Sequence, residues 1–330
     1  MKLNKIIFAV IASLFAVSFA AEKKSIVCAT YPEYDWVMNI LGEKGSDFEV
    51  TLLQKKGVDL HSYQPSFSDV AKISGADLFV FVGGESDSWA KKAALNAKNK
   101  NQIVVNMMES LGDKVREEEV VEGMQAEDEH HHEEDEHHHA EGELHDEEEE
   151  EPEYDEHVWL SLKNAVQLIK ILSQSIETLD AKNASCYQKN ASDYSAKLLS
   201  LDEEYAKAVE SAKYKVLLFG DRFPFRYLVD DYNIKYYAAF VGCSAESEAS
   251  FETVVFLSKK MDELDLPAVL TIEKGNRRLA QTIIKNTKKK NQKILEMDSL
   301  QSVTQKDLIS GRNYYSAMKK NLEVLKSALN

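Results

Sequence analysis

A chain of 330 residues has room for about two domains, and 44% hydrophobic residues supply real cores, which excludes disorder throughout. The formal net charge of −16, from 40 basic and 56 acidic residues, excludes a general nucleic-acid binder, which needs a basic surface. That charge is concentrated. Residues 117–156 hold 22 Asp or Glu and no Lys or Arg, and removing them turns the net charge from −16 to +6. Seven of the nine histidines lie in the same stretch, His130, His131, His132, His137, His138, His139 and His145. His157 sits one residue past its end, and His61 is the remaining one.

Lys2 and Lys5 precede an apolar run from Ile6 to Phe19, and Ser18 and Ala20 offer small residues at a cleavage site. This pattern predicts a secretory signal peptide over residues 1–20, cut near Ala20. The run is shorter than the ~20 residues of a membrane span. No Cys follows it directly, so the expectation is a soluble, exported, periplasmic protein without a lipid anchor.

A first lobe is predicted over residues 21–160. Its strands are Ser25–Ala29, Phe48–Leu53, Asp77–Val82 and Gln102–Asn106. Helices fall between them, around Trp36–Leu41, over Phe67–Ala76 and over Trp89–Ala97. The acidic stretch 117–156 has no apolar periodicity and its like charges repel, which predicts a disordered, solvated loop. Residues 161–212 form a helical connector, in which Ala181–Ala212 contains neither Pro nor Gly and reads as one helix of ~45 Å. A second lobe follows over residues 213–330. Its strands are Val216–Phe219, Lys235–Phe240, Ala268–Ile272 and Lys293–Met297, with helices over Phe223–Tyr232, Phe251–Leu264, Arg278–Asn286 and Gly311–Leu329. The fold class is α/β. Two lobes, each a parallel sheet flanked by helices, are joined by one long helix and leave a ligand cleft beyond the carboxyl ends of their strands.

Two histidines fall where such a cleft would be. His61 follows the Phe48–Leu53 strand, and His157 stands where order returns after the loop. A single histidine is more often structural than ligating. The seven-histidine loop tethered beside His157 shifts the balance toward metal, because imidazole suits zinc, copper, nickel and iron. The three cysteines, Cys28, Cys186 and Cys243, allow one disulfide in an oxidising compartment. Cys28 with Cys243 is the preferred pair, since Cys186 lies in a helical pattern, and buried free thiols are an equal alternative.

Four segments resemble the periplasmic solute-binding proteins of zinc and manganese ABC importers. They are Ala29-Thr30-Tyr31-Pro32, Gly57–Pro65 around His61, Glu156-His157-Val158-Trp159-Leu160, and Glu246–Ser250. The resemblance covers residues 22–330, and an acidic His-rich insertion before the second ligand is typical of the zinc branch. It implies capture of Zn²⁺ as transported ligand, with Mn²⁺ or Fe²⁺ as the alternative, and delivery by a monomer to an ABC permease with its ATPase. It also implies a third histidine from the second lobe, at a position that here reads Gly220, and no histidine follows His157. A second-lobe ligand would therefore be a carboxylate or a thiolate. Asp298 resembles the family's late carboxylate best, Asp221 adjoins the missing histidine, and Glu273 and Glu296 also stand at strand ends. Each has an ordinary alternative as a helix cap or solvated carboxylate. Cys243 is a possible soft ligand or a buried small residue. The competing classes are a metal-dependent hydrolase and a metal buffer or surface adhesin. No His-Glu-x-x-His, Gly-x-Ser-x-Gly or phosphate-cradling loop appears, so an enzyme is not the expectation.

Overall fold

The computed structural model describes residues 23–54, 57–125, 153–244 and 248–330. The expected signal peptide, the seven loop histidines and part of the Glu246–Ser250 segment lie outside the described residues. Among the described residues, no helix is long and apolar enough to cross a membrane.

The first lobe runs β1 (Lys24–Cys28), α1 (Tyr31–Leu41), β2 (Phe48–Leu52), α2 (Phe67–Gly75), β3 (Leu78–Phe81), α3 (Ser88–Leu95), β4 (Ile103–Asn106) and α4 (Met107–Leu111). Two helices follow, α5 (Leu162–Leu179) and α6 (Ala184–Glu210). The second lobe runs β5 (Val216–Phe223), α7 (Arg226–Tyr232), β6 (Lys235–Val241), α8 (Phe251–Glu263), β7 (Ala268–Ile272), α9 (Arg277–Asn286), β8 (Lys293–Met297), α10 (Gln305–Ile309) and α11 (Tyr314–Ala328). Each lobe holds a four-stranded parallel sheet, and the strand orders match: β2-β1-β3-β4 and β6-β5-β7-β8. Both sheets thus reverse direction beside their first strand, and the loops after β2 and β6 occupy corresponding places. Such reversal points at carboxyl strand ends are where open α/β sheets bind ligands.

Local chemistry explains the element starts. Ser66 caps α2 by accepting from the Asp69 N–H, and Asp69 returns a bond to the Ser66 N–H, the reciprocal box that satisfies two otherwise orphaned donors. Ser250 accepts from the Thr253 N–H at the start of α8 in the same way. Strand β3, Leu-Phe-Val-Phe, is buried at every position, as a sheet covered on both faces requires.

Helix α6 spans about 40 Å in 27 residues. Its buried face, Tyr187, Ala191, Tyr194, Leu198, Leu201, Tyr205 and Val209, packs along both lobes. Tyr194 Oη donates to Asp35 of α1, and Tyr205 Oη donates to the Met318 carbonyl of α11. The C-terminal helix adds a second tie, with Tyr314 edge-on to Trp36 at 5.2 Å and its hydroxyl on the Trp159 carbonyl at 2.6 Å. One continuous apolar core therefore joins the lobes.

Several expectations change. Strand β5 continues to Phe223 through an irregularity between Phe219 and Arg222, so Gly220, Asp221 and Arg222 belong to the strand and the next helix begins only at Arg226. The two ends of the acidic stretch are built into the fold: Glu117 bridges Tyr154, Glu118 N–H reaches the Glu153 carbonyl, and Gln125 N–H joins the Ala239 carbonyl of β6. The Cys28–Cys243 disulfide is not formed. All three cysteines are free, with Cys28 buried in the first lobe's sheet and Cys243 in the turn after β6 of the second lobe.

Candidate metal centre

His61 rides on a single helical turn, Leu60–Ser62. Buried Leu60 pins that turn to the core, and the Asp59 carboxylate caps it by accepting the His61 N–H at 3.1 Å. The imidazole Nδ1 meets Ser86 Oγ at 2.7 Å. Ser86 is in turn held by Glu156, whose Oε1 accepts the Ser86 N–H at 2.8 Å. Glu156 Oε2 is buried without a hydrogen-bond donor, 3.7 Å from His61 Nδ1.

His157 starts the buried turn Val158-Trp159-Leu160, and Trp159 is anchored by its indole N–H on the Ser299 carbonyl. One oxygen of Asp155 accepts both the backbone N–H and the Nδ1–H of His157, at 2.8 and 2.9 Å. That fixes the tautomer and leaves Nε2 as the free apex. Asp155 itself is fixed from the second lobe by Tyr227 Oη, which donates to its carbonyl.

The two free apices face one another, with His61 Nε2 3.2 Å from His157 Nε2. Two imidazole nitrogens on a tetrahedral zinc ion, each at about 2.0–2.1 Å, stand about 3.3 Å apart. The pair is therefore already at chelating distance, and a proton between the two nitrogens would compete with a metal for them. Burial, then the neighbouring His157 charge, pushes the His61 pKa down to about 3. Burial also opposes charge on His157, but the Asp155 carboxylate outweighs it and the net shift is upward. The competing proton thus belongs to His157.

The second lobe closes over this pair. Arg222 on β5 reaches across to Asp59 at 2.6 Å and also donates to the Ser244 carbonyl at 3.3 Å. The Gln301 amide has one orientation that satisfies both its ends: its NH₂ donates to the Asp59 oxygens at 3.0 and 2.9 Å and its carbonyl accepts from His157 Nε2 at 2.6 Å. Among the described residues, the metal-ligating set with donor atoms all within 4.8 Å of one another is His61, His157 and Cys243. A cavity of about 500 Å³ is lined by His61, Glu156 and Cys243, and one of about 280 Å³ by His61, Asp59 and Asp221.

The carboxylates expected from sequence are engaged elsewhere. Asp298 is paired with Arg312 and accepts the Leu300 N–H. Glu273 accepts the Ser299 N–H and hydroxyl, and burial, then the Asp298 charge, raises its pKa to about 7. Glu296 pairs with Arg277. Asp221 borders the cleft near His61 and accepts the N–H groups of Arg222 and Ile272. None of the four is part of the His61–His157–Cys243 set. Sequence reasoning did not find Gln301, a neutral amide outside any ligand pattern. It also passed over Asp155, whose signal was its place two residues before His157.

The chain matches, over residues 26–328, the model of the family described as zinc-uptake complex component A, periplasmic. It belongs to that family. Among its relatives is the zinc-binding lipoprotein AdcA of Streptococcus pneumoniae (strain ATCC BAA-255 / R6), 30% identical over 99% of this chain and 61% of the relative. This chain thus spans about three-fifths of AdcA. The high-affinity zinc uptake system protein ZnuA of Bacillus subtilis (strain 168) is 29% identical over 93% of this chain and 88% of its own length. The crystal structure of the Zn(II)-bound ZnuA-like domain of Streptococcus pneumoniae AdcA superposes with a TM-score of 0.69 at 27% identity, covering 93% of this chain and 99% of that one. The two-lobed architecture and the long connecting helix fit this zinc-uptake family.

Gly220 acquires a steric meaning in that setting. A Cβ at this position would lie 2.9 Å from the Ala280 Cα and 3.0 Å from Val269 Cγ1. Helix α9 packs so closely on β5 that even a Cβ would force Ala280 to shift, which leaves no room for an imidazole where the resemblance places the second lobe's histidine.

Proposed function

We propose that this chain captures Zn²⁺ outside the cytoplasm, in the cleft between its lobes, and delivers it to an ABC permease powered by an ATPase. The 3.2 Å separation of the two Nε2 atoms carries the reading, since it is the spacing a tetrahedral zinc ion needs from two imidazoles. The family membership and the zinc-binding names and zinc-bound structures of the relatives support the same cargo. Transport rather than catalysis is the role: the cleft holds ligand donors and their hydrogen-bonded supports. The nitrogen and sulfur donors around the cleft suit zinc better than Mn²⁺, which prefers oxygen. The His-rich acidic loop serves as a weak collector that raises local metal concentration beside His157.

Calorimetric zinc titration of the His61→Ala, His157→Ala double variant tests the reading. The tight, one-equivalent phase should vanish, leaving weak loop binding. Tight one-equivalent binding at the wild-type level would refute it.

A further inference from the structure

Resting on that cleft reading, we infer that Cys243 supplies the second lobe's ligand, so that the cation is held by His61 Nε2, His157 Nε2 and the Cys243 sulfur. One nitrogen of each imidazole and the Cys243 sulfur already lie within 4.8 Å of one another. A tetrahedral zinc ion with its sulfur at about 2.3 Å and nitrogen at about 2.05 Å needs sulfur and nitrogen about 3.6 Å apart.

The topology places Cys243 at the counterpart of His61. Strand β6 holds the place in the second sheet that β2 holds in the first. His61 follows β2 and precedes the Ser66-capped α2, and Cys243 follows β6 and precedes the Ser250-capped α8. The loop that carries the first lobe's donor thus has a second-lobe equivalent, and that equivalent carries a soft donor. The alternative position on β5 is closed, because Gly220 is pressed against Ala280.

The surroundings bring the cysteine turn to the imidazoles and hold it there. At Gly242 a Cβ would lie 3.1 Å from His157 Cε1 and 3.2 Å from its Nδ1, so bare backbone lets the turn lie against the ring. The Cys243 N–H is fixed by Glu118 Oε1 at 3.1 Å. Arg222 fastens both donor loops at once, through Asp59, which caps the His61 turn, and through the Ser244 carbonyl next to Cys243. On loading, the S–H bond breaks as the sulfur lone pair binds the cation, and the proton leaves to water in the cavity that Cys243 lines. Thiolate ligation would favour zinc and other thiophilic cations over manganese.

The test loads one equivalent of Co²⁺ into the full-length wild type and into Cys243→Ser, Cys243→Ala and the His61→Ala, His157→Ala double variant. Sulfur-to-cobalt charge transfer absorbs in the near ultraviolet, and residues 126–152 contain no cysteine to mimic it. The wild type should show that band and both Cys243 variants should lose it. Their zinc affinity should fall at least about tenfold, since even outer supports of a metal ligand are worth 10–100-fold. Far-ultraviolet circular dichroism checks that the variants remain folded. If the double histidine variant loses cleft binding while the band is absent from the wild type, or survives in both Cys243 variants, zinc capture stands and the sulfur assignment is overturned. If tight binding persists without the histidines, the cleft reading itself fails.

Discussion

Asp155 accepts two bonds from His157 on one oxygen. Asp155→Asn keeps the shape and an acceptor oxygen but removes the charge. An ion on His157 Nε2 would lie about 7 Å from the carboxylate, the sum of the 2.9 Å hydrogen bond, the width of the ring and the metal–nitrogen bond. At an effective dielectric of about 20, that charge attracts a divalent ion by about 5 kcal/mol. This is a ceiling, because the amide dipole still points at Nδ1. Measured losses for such outer supports are 10–100-fold, about 1.4–2.7 kcal/mol. The same carboxylate also raises the proton affinity of His157, and the proton competes with the metal for Nε2. Zinc affinity of the wild type should therefore fall as pH drops through a His157 pKa above its ordinary 6.5. In Asp155→Asn that midpoint moves down. The variant should lose zinc affinity at pH 8, where proton competition is weaker, by up to 10–100-fold, and lose less at pH 6, where the wild type is already more handicapped. Competition against a chromophoric chelator at both pH values reads this directly. Unchanged affinity, or the same loss at both pH values, would refute the reasoning.

Replacing residues 126–152 with a Gly-Ser linker should lower zinc stoichiometry and leave the tightest site at wild-type affinity, measured by equilibrium dialysis. Extending the deletion through Glu117 and Asp155 should damage the cleft itself, because those residues bridge Tyr154 and orient His157. Gly220→Ala should destabilise the protein by about 1–3 kcal/mol in urea unfolding, the cost of overpacking a filled core, since its Cβ meets the Ala280 Cα at 2.9 Å.

Much of the architecture was legible because period-2 and period-3.6 patterns are strong here. The eight strands match the predicted segments to within one residue at each end except at β5, where Gly220-Asp221-Arg222 reads as a strand end and a turn. The structure carries the strand on through an irregularity, at a cost repaid by aiming Arg222 at Asp59. His61 and His157 were legible as the histidines outside the run, at places where order meets a loop. The ends of the acidic stretch were not. Charge density predicts solvation, but backbone pairing at Glu117–Tyr154 and Gln125–Phe240 overrides it locally. The second lobe's side of the cleft was least legible, because carboxylates at strand ends are common and their partners are set by tertiary contacts. Asp298 looks like a ligand in sequence and is an Arg312 partner in space.

The absence of histidine beyond residue 157 has a structural consequence for how capture works. A donor on β5 would be fixed by the sheet, and the lobes would have to approach as bodies to close on a metal. Here the lobes are tied by α6, by α11 and by the Trp36–Tyr314 contact. Such a shared core resists a large hinge motion, because opening it would expose buried apolar surface at about 25 cal/mol per Å². The second lobe's contribution has instead moved into loops. Asp59, Arg222, Gln301 and the Cys243 turn meet around the two imidazoles through hydrogen bonds that a few side chains can exchange. In the proposed site, entry of a cation would part the His61–His157 contact and move the Gln301 amide, without separating the lobes. A site built this way would exchange metal by loop and side-chain motion rather than by separation of the lobes.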